Sequence, residues 1–162
     1  MPFFDPETMG SFFNEGMQTT EALLFGRRTW QTMAAAWPKR AGDPFADRMN
    51  TIRKFVVSTT LTQEDLTWAN SVLLRSYDVA GEVRRLLESP GDDLQVMGSS
   101  ELARTLIGLD LVDEVRLMIE PITLAAASGS SPTMGSLGRW SSSPARAAPT
   151  GVLMYTYRPA SH

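Results

Sequence analysis

The chain has 162 residues, no cysteine, a single histidine at its last position and a formal net charge of −3 at pH 7. Without cysteine there is no disulfide, thiolate metal site or cysteine nucleophile, and His162 alone is a poor basis for a catalytic triad or a zinc centre. The mild acidity offers no general attraction to nucleic acid or an anionic membrane, and 43% hydrophobic with 20% charged residues is the composition of a globular protein.

One domain over residues 1–162 is expected from the length. No apolar run approaches the roughly 20 residues that span a bilayer. The start, Met1-Pro2-Phe3-Phe4-Asp5-Pro6, lacks the basic opening and apolar core of a signal peptide, so a cytoplasmic address is expected.

In chain order, Met9, Phe12, Phe13 and Met17 mark one face of a first helix, with Asp5 or Thr8 as its cap. Ala22 to Phe25 reads as a short buried strand that ends at Gly26. Arg27, Arg28, Thr29 and Trp30 follow and lead into a helix stopped by Pro38. Two arginines in a first helical turn oppose the helix dipole. They point to solvent, pair with Asp43 or Asp47, or await an anionic ligand; the sequence leaves all three open. Asp43-Pro44 precedes a short helix around Phe45–Met49. Lys54 to Val57 is a second strand, running into Ser58-Thr59-Thr60. Trp68 to Leu74 reads as a third strand. Asp78 starts a helix with Val79, Val83, Leu86 and Leu87 toward the core.

Leu94 to Met97 is a fourth strand, ending at Gly98. Ser99, Ser100 and Glu101 then open a helix whose Leu102, Leu106 and Leu109 share one face. A strand that stops at glycine and opens a helix presents backbone N–H groups at the positive end of a dipole, a corner suited to phosphate. Val112 to Ile122 follows as a long strand with Val115, Leu117 and Ile119 alternating. The region 125–150 is rich in Ala, Ser, Gly and Pro, lacks Asp and Glu, and reads as an irregular loop. Gly151 to Tyr157 returns to strand character as a hairpin partner at the sheet edge. The alternation of strand and helix with short linkers argues for a mostly parallel sheet covered on both faces.

These residues resemble a known family. Leu24-Phe25-Gly26-Arg27-Arg28-Thr29-Trp30 is similar to the Gly-Arg-x-Thr-Trp corner of dihydrofolate reductases. Val56-Val57-Ser58-Thr59-Thr60 resembles the second cofactor strand of that fold, and Met97-Gly98-Ser99-Ser100-Glu101-Leu102 its glycine corner. Leu111 to Leu117 and Thr156-Tyr157-Arg158-Pro159 are similar to the bacterial branch related to the riboflavin-biosynthesis reductase domain.

The resemblance implies an α/β, three-layer αβα sandwich with a mostly parallel mixed central sheet. It further implies hydride transfer from NADPH to a small heterocyclic substrate, pterin- or pyrimidine-like. Arg27, Arg28 and Thr29 would meet the 2′-phosphate and pyrophosphate. Ser58 and Thr59 would lie near the adenosine phosphate, Gly98, Ser99 and Ser100 would cradle the pyrophosphate, and Gly26 and Glu101 would be further cofactor-binding residues. Related chains pair, so a homodimer is expected; no metal is expected.

Two departures stand out. The family opens with a strand carrying a Leu-Asp-Gly type motif, and the chain reads as starting after it, so no catalytic acid is assigned. A catalytically impaired nucleotide-binding homologue is therefore the rival reading. The second departure is Ala125 to Ser143, where the family has a glycine-rich turn and a basic-aromatic segment; a one-base shift in a GC-rich gene would produce such a stretch, and the nucleotide sequence decides it.

Overall fold

The protein is seen in a computed structural model that describes residues 5–40, 42–75, 77–91, 93–122 and 139–160. The chain divides into two compact units, one formed by Gly16–Leu111 and the other by Met1–Glu15 with Val112–His162.

The Gly16–Leu111 unit holds a four-stranded, wholly parallel sheet in the order β3-β2-β1-β4. Its strands are β1 (Thr20–Gly26), β2 (Arg53–Val57), β3 (Ser71–Leu74) and β4 (Asp93–Val96). Among them run α2 (Arg27–Ala36), α3 (Pro44–Thr51) and α4 (Val79–Glu88), and α5 (Ser100–Gly108) follows β4. The preceding helix, α1 (Thr8–Gln18), starts where Asp5 accepts a hydrogen bond from the Thr8 N–H at 2.6 Å; the Thr8 side chain, and after it this N–H, hold the Asp5 carboxyl below its usual range.

β1 is apolar on both sides because both sides are covered. Its Leu23 and Phe25, with Val56 of β2, pack against Trp30 of α2, Met49 of α3, and Trp68. On the opposite face, Leu86 of α4 lies near Ala22, Phe55 and Leu94. Helices on both faces of a parallel sheet form the three-layer arrangement expected. Trp68 does not belong to a strand: β3 begins only at Ser71, and Trp68 is a buried loop residue whose indole N–H donates to Asn50 at 2.8 Å. Leu87 and Leu109, expected inside, are 49% and 40% exposed. Each lies near the end of its helix, where the apolar stripe outruns the sheet it covers.

Lys54 is a fully buried cation on β2. Its ammonium donates to the carbonyls of Asn50 at 3.2 Å, Ile52 at 2.8 Å and Ala69 at 3.0 Å, and stands 4.4 Å from the centre of the Trp68 ring. Three carbonyls and an aromatic face satisfy all three donors without a counter-charge. The cage ties the end of α3 to the loop before β3.

The other unit contains an antiparallel sheet. β5 (Val115–Ile119) pairs with β8 (Leu153–Pro159), which pairs on its other side with β6 (Trp140–Ser142) and β7 (Arg146–Ala147). Two expectations are corrected here. β8 is an interior strand rather than an edge, and residues 140–142 and 146–147 are strand rather than irregular loop. The remainder of that expected loop, and with it much of the segment read as frame-shifted, lies outside the described residues.

A third correction concerns β5. Met118, opposite Met154, packs with Met9, Phe12, Ala148 and Val152, whereas Leu117 and Ile119 are 45% and 52% exposed. The period of two is correct; the inward set is the other one. The β7–β8 turn requires Gly151, at φ +87°, where a Cβ would also stand 3.3 Å from Pro121.

Burial pushes the Lys54 ammonium down to about 8, against about 10.4 for a lysine in an unfolded chain. Between those values the unfolded chain holds the extra proton, so stability from this site rises as pH is raised through the window and is lowest below it. Lys54→Met strands three buried carbonyls and is expected to cost about 1–3 kcal/mol at pH 7. The deficit against the parent should widen at pH 10, as read by urea unfolding at both pH values.

Candidate functional site

The parallel register decides where the polar strand ends go. Gly26 of β1 is the register partner of Val57 on β2, and Leu24 is that of Val96 on β4. The chain leaves all three strands in the same direction. Gly26, Ser58 and Gly98 therefore emerge at one edge of the sheet, on neighbouring strands, with β1 in the middle.

Beyond the last paired residues, β1 and β4 stay joined. The Met97 N–H donates to Leu24 at 3.0 Å, and the Gly26 N–H donates to the Gly98 carbonyl at 2.8 Å. The two glycine corners touch. A Cβ on Gly26 would meet the Ser99 Oγ at 2.9 Å, and a Cβ on Gly98 would meet the Thr29 side chain at 3.2 Å. Gly98 also has φ +118°, and the Gly98–Ser99 peptide is cis.

Two helix N-termini open from this edge. α5 is capped by its own chain, the Ser99 hydroxyl accepting from the Leu102 N–H at 3.5 Å. α2 has no such cap: Gly26 occupies the N-cap position and has no side chain to accept from the first turn. Its first-turn N–H groups are those a helix leaves unbonded. Arg27 and Arg28 sit on this turn and are exposed. Among the described residues neither guanidinium has an ion-pair or hydrogen-bond partner. Asp43 caps α3 by accepting from Phe45, and Asp47 accepts from Gly42. The pairing of these arginines with Asp43 or Asp47, one of the three readings left open, is thus not made.

Of the residues expected to form a cofactor site, Gly26, Arg27, Arg28, Thr29, Gly98 and Ser99 are brought into one corner. Ser100 and Glu101 form the exposed first turn of α5, and Glu101 is the acidic residue there. Ser58 is at the same edge but 6% exposed, and its hydroxyl accepts from the N–H groups of Thr60 and Leu61. That hydroxyl shapes its own loop. Thr59 is the exposed member of the pair.

Chemically the corner presents backbone donors, hydroxyls and two guanidinium groups, with glycine where a side chain would obstruct close approach. Such an arrangement receives phosphate oxygens at the carboxyl ends of parallel strands.

The fold is of the dihydrofolate reductase-like class. Residues 5–152 match the model of the RibD C-terminal domain, and the chain belongs to that family. The chain is 30% identical over 125 residues to the uncharacterized protein YyaP of Bacillus subtilis (strain 168), a match covering 74% of this chain and 62% of that one. It thus spans less than two thirds of that curated relative's length. Among solved structures it is similar to a Shewanella sp. PV-4 protein named for riboflavin biosynthesis. The TM-score is 0.74, with 17% identity and coverage of 98% of this chain and 84% of the other. It is also similar to the pyrimidine reductase-like protein DIP1392 of Corynebacterium diphtheriae, with TM-score 0.63, 12% identity, and coverage of 99% and 84%.

The corner supplies its own test. Gly98→Ala puts a side chain at positive φ and against Thr29, and is expected to destabilise by about 1–3 kcal/mol. Gly10→Ala, on α1 with nothing within 4 Å of the new methyl, should instead stabilise by about 0.5–1 kcal/mol. Thermal unfolding of the two variants reads both signs.

Proposed function

We propose that the protein is an NADPH-dependent reductase that transfers hydride to a small pterin- or pyrimidine-like heterocycle. The observation that carries this reading is the uncapped, doubly cationic N-terminus of α2, packed against the Gly98 corner at the carboxyl edge of a parallel sheet. In this reading Arg27 and Arg28 take the 2′-phosphate that distinguishes NADPH from NADH, since a planar guanidinium can engage two oxygens at once. The α2 N–H groups, Thr29, Gly98, Ser99 and Ser100 receive the pyrophosphate. Thr59 and the loop shaped by Ser58 lie toward the adenosine phosphate. Glu101 repels phosphate, so its place is beside ribose hydroxyls.

The nicotinamide supplies the hydride when bound; the protein's own residues hold and orient it and exclude water. Family membership supports a reductase of the riboflavin-pathway type, and the cytoplasmic location expected from the sequence fits that role. No described helix is long and apolar enough to cross a membrane.

The rival reading, a homologue that binds the nucleotide without turnover, draws on one observation. The first turns of α2 and α5 together carry a single carboxylate, Glu101. NADPH titration followed by tryptophan fluorescence, then NADPH oxidation with candidate heterocycles, separates the two. Selective binding with turnover supports the reductase, binding alone supports the rival, and no binding removes both. Arg27→Ala with Arg28→Ala should weaken NADPH by about 100-fold, two charge-assisted contacts being lost, and leave NADH nearly unchanged. Equal weakening would show that these arginines do not read the extra phosphate.

A homodimer belongs to the same proposal. Leu117, Ile119 and Leu153 share the outward face of the β5–β8 pair at 45%, 52% and 36% exposure. Sedimentation should give a dimer, and Leu117→Glu with Ile119→Glu a monomer.

A further inference from the structure

A cleft of about 230 Å³ lies wholly within the unit formed by Met1–Glu15 and Val112–His162. No residue of the β1, β2 and β4 ends contributes to it, so it stands independently of the proposed cofactor corner. Its floor includes Phe12 of α1 and Met154 of β8, both buried in the local core. Its wall is cationic, with Arg116, Arg146 and Arg158 in the lining against one lining carboxylate, Glu15. Such a volume is that of about eight liquid waters, enough for a small organic molecule.

The charges are only partly matched. Glu15 accepts from Arg146 at 2.8 Å, a contact that holds the Glu15 carboxyl below its usual range. Glu114, outside the lining, accepts from Arg116 and from Arg158, each at 2.5 Å. Burial pushes its carboxyl up, but the two guanidinium groups overcome that and keep it ionised. Arg116 spends one further N–H on the Phe12 carbonyl, and its guanidinium lies 5.5 Å from the Phe12 ring centre.

Each guanidinium has five N–H donors. Among the described residues Arg146 and Arg158 use one apiece on these carboxylates, which leaves most of their donors for a ligand. Ser143 and Thr156 also line the cleft, and among the described residues their hydroxyls have no partner. Three cations share two carboxylates beside donor-rich walls and an apolar floor. The uncompensated group is therefore an anion, and its remainder is apolar or aromatic.

We propose that this cleft binds a small organic oxyanion, a phosphomonoester or a carboxylate. The oxyanion sits between Arg146 and Arg158 with the Ser143 and Thr156 hydroxyls, and the apolar body lies over Phe12 and Met154.

Phenyl phosphate and benzoate are the two probes, titrated into the full chain by calorimetry and by backbone amide NMR. At least one should bind saturably and shift the Ser143 and Thr156 amides; which one binds tighter assigns the headgroup. Arg146→Gln and Arg158→Gln, both at well-exposed side chains, should each weaken that probe about tenfold. Thr156→Val, which leaves every ion pair intact, should weaken it severalfold. Arg27→Ala with Arg28→Ala should leave it unchanged. Absence of saturable binding by both probes overturns the proposal. So does equal affinity across the cleft variants, or loss of binding in the Arg27 and Arg28 pair, which would move the anion to the α2 corner.

Discussion

The close approach of two glycines governs the Gly16–Leu111 unit. The Gly26 N–H reaches the Gly98 carbonyl at 2.8 Å, two residues past Leu24 and Val96, the last register pair of β1 and β4. A side chain on either glycine would collide with Ser99 or Thr29. The parallel register starts α2 and α5 from the same edge, and this contact holds the two strand ends together as their chains turn outward. Without it, two arginines on an uncapped helix would be an unremarked surface feature. With it, they stand beside the Gly98 turn at the carboxyl edge of the sheet.

The unit formed by Met1–Glu15 and Val112–His162 follows a different logic. Antiparallel pairing puts Met118 opposite Met154 and Arg116 opposite Thr156. The first pair joins the Met9 and Phe12 core, and the second faces the cleft. The Arg116 guanidinium lies over the Phe12 ring while donating to the Glu114 carboxylate and the Phe12 carbonyl. One face of β5 and β8 thus supplies both an apolar floor and a cationic wall.

Much of the parallel sheet was legible because its signals are local. Glycine at a strand end, Asp5, Asp43, Asp78 and Ser99 at helix starts, and apolar runs of strand length all act over a few residues. The meeting of three short polar strand ends at one edge of that sheet was foreshadowed for the same reason, each end being a local signal. The errors were of another kind. Leu117 and Ile119 alternate correctly, yet periodicity alone does not say which of two faces meets the core. Trp68 reads as strand by composition, but its place is set by an indole bond to Asn50, 18 residues away. The arginine cleft has no local signal, because Arg146 lies 30 residues from Arg116 and within a stretch that reads as loop.

By itself the sequence determined the class of fold, the positions of the strand–glycine–helix corners and the residue types they present, because backbone conformation and capping are short-range choices. Only the tertiary structure decided that Gly26 and Gly98 meet and that Ser58 turns its hydroxyl inward. It alone decided that Lys54 is caged by three carbonyls and that the guanidinium groups of Arg116, Arg146 and Arg158 gather around one cleft. These are matters of which distant segments become neighbours, and that is set by strand register and by the shared burial of apolar faces, neither of which any single stretch encodes.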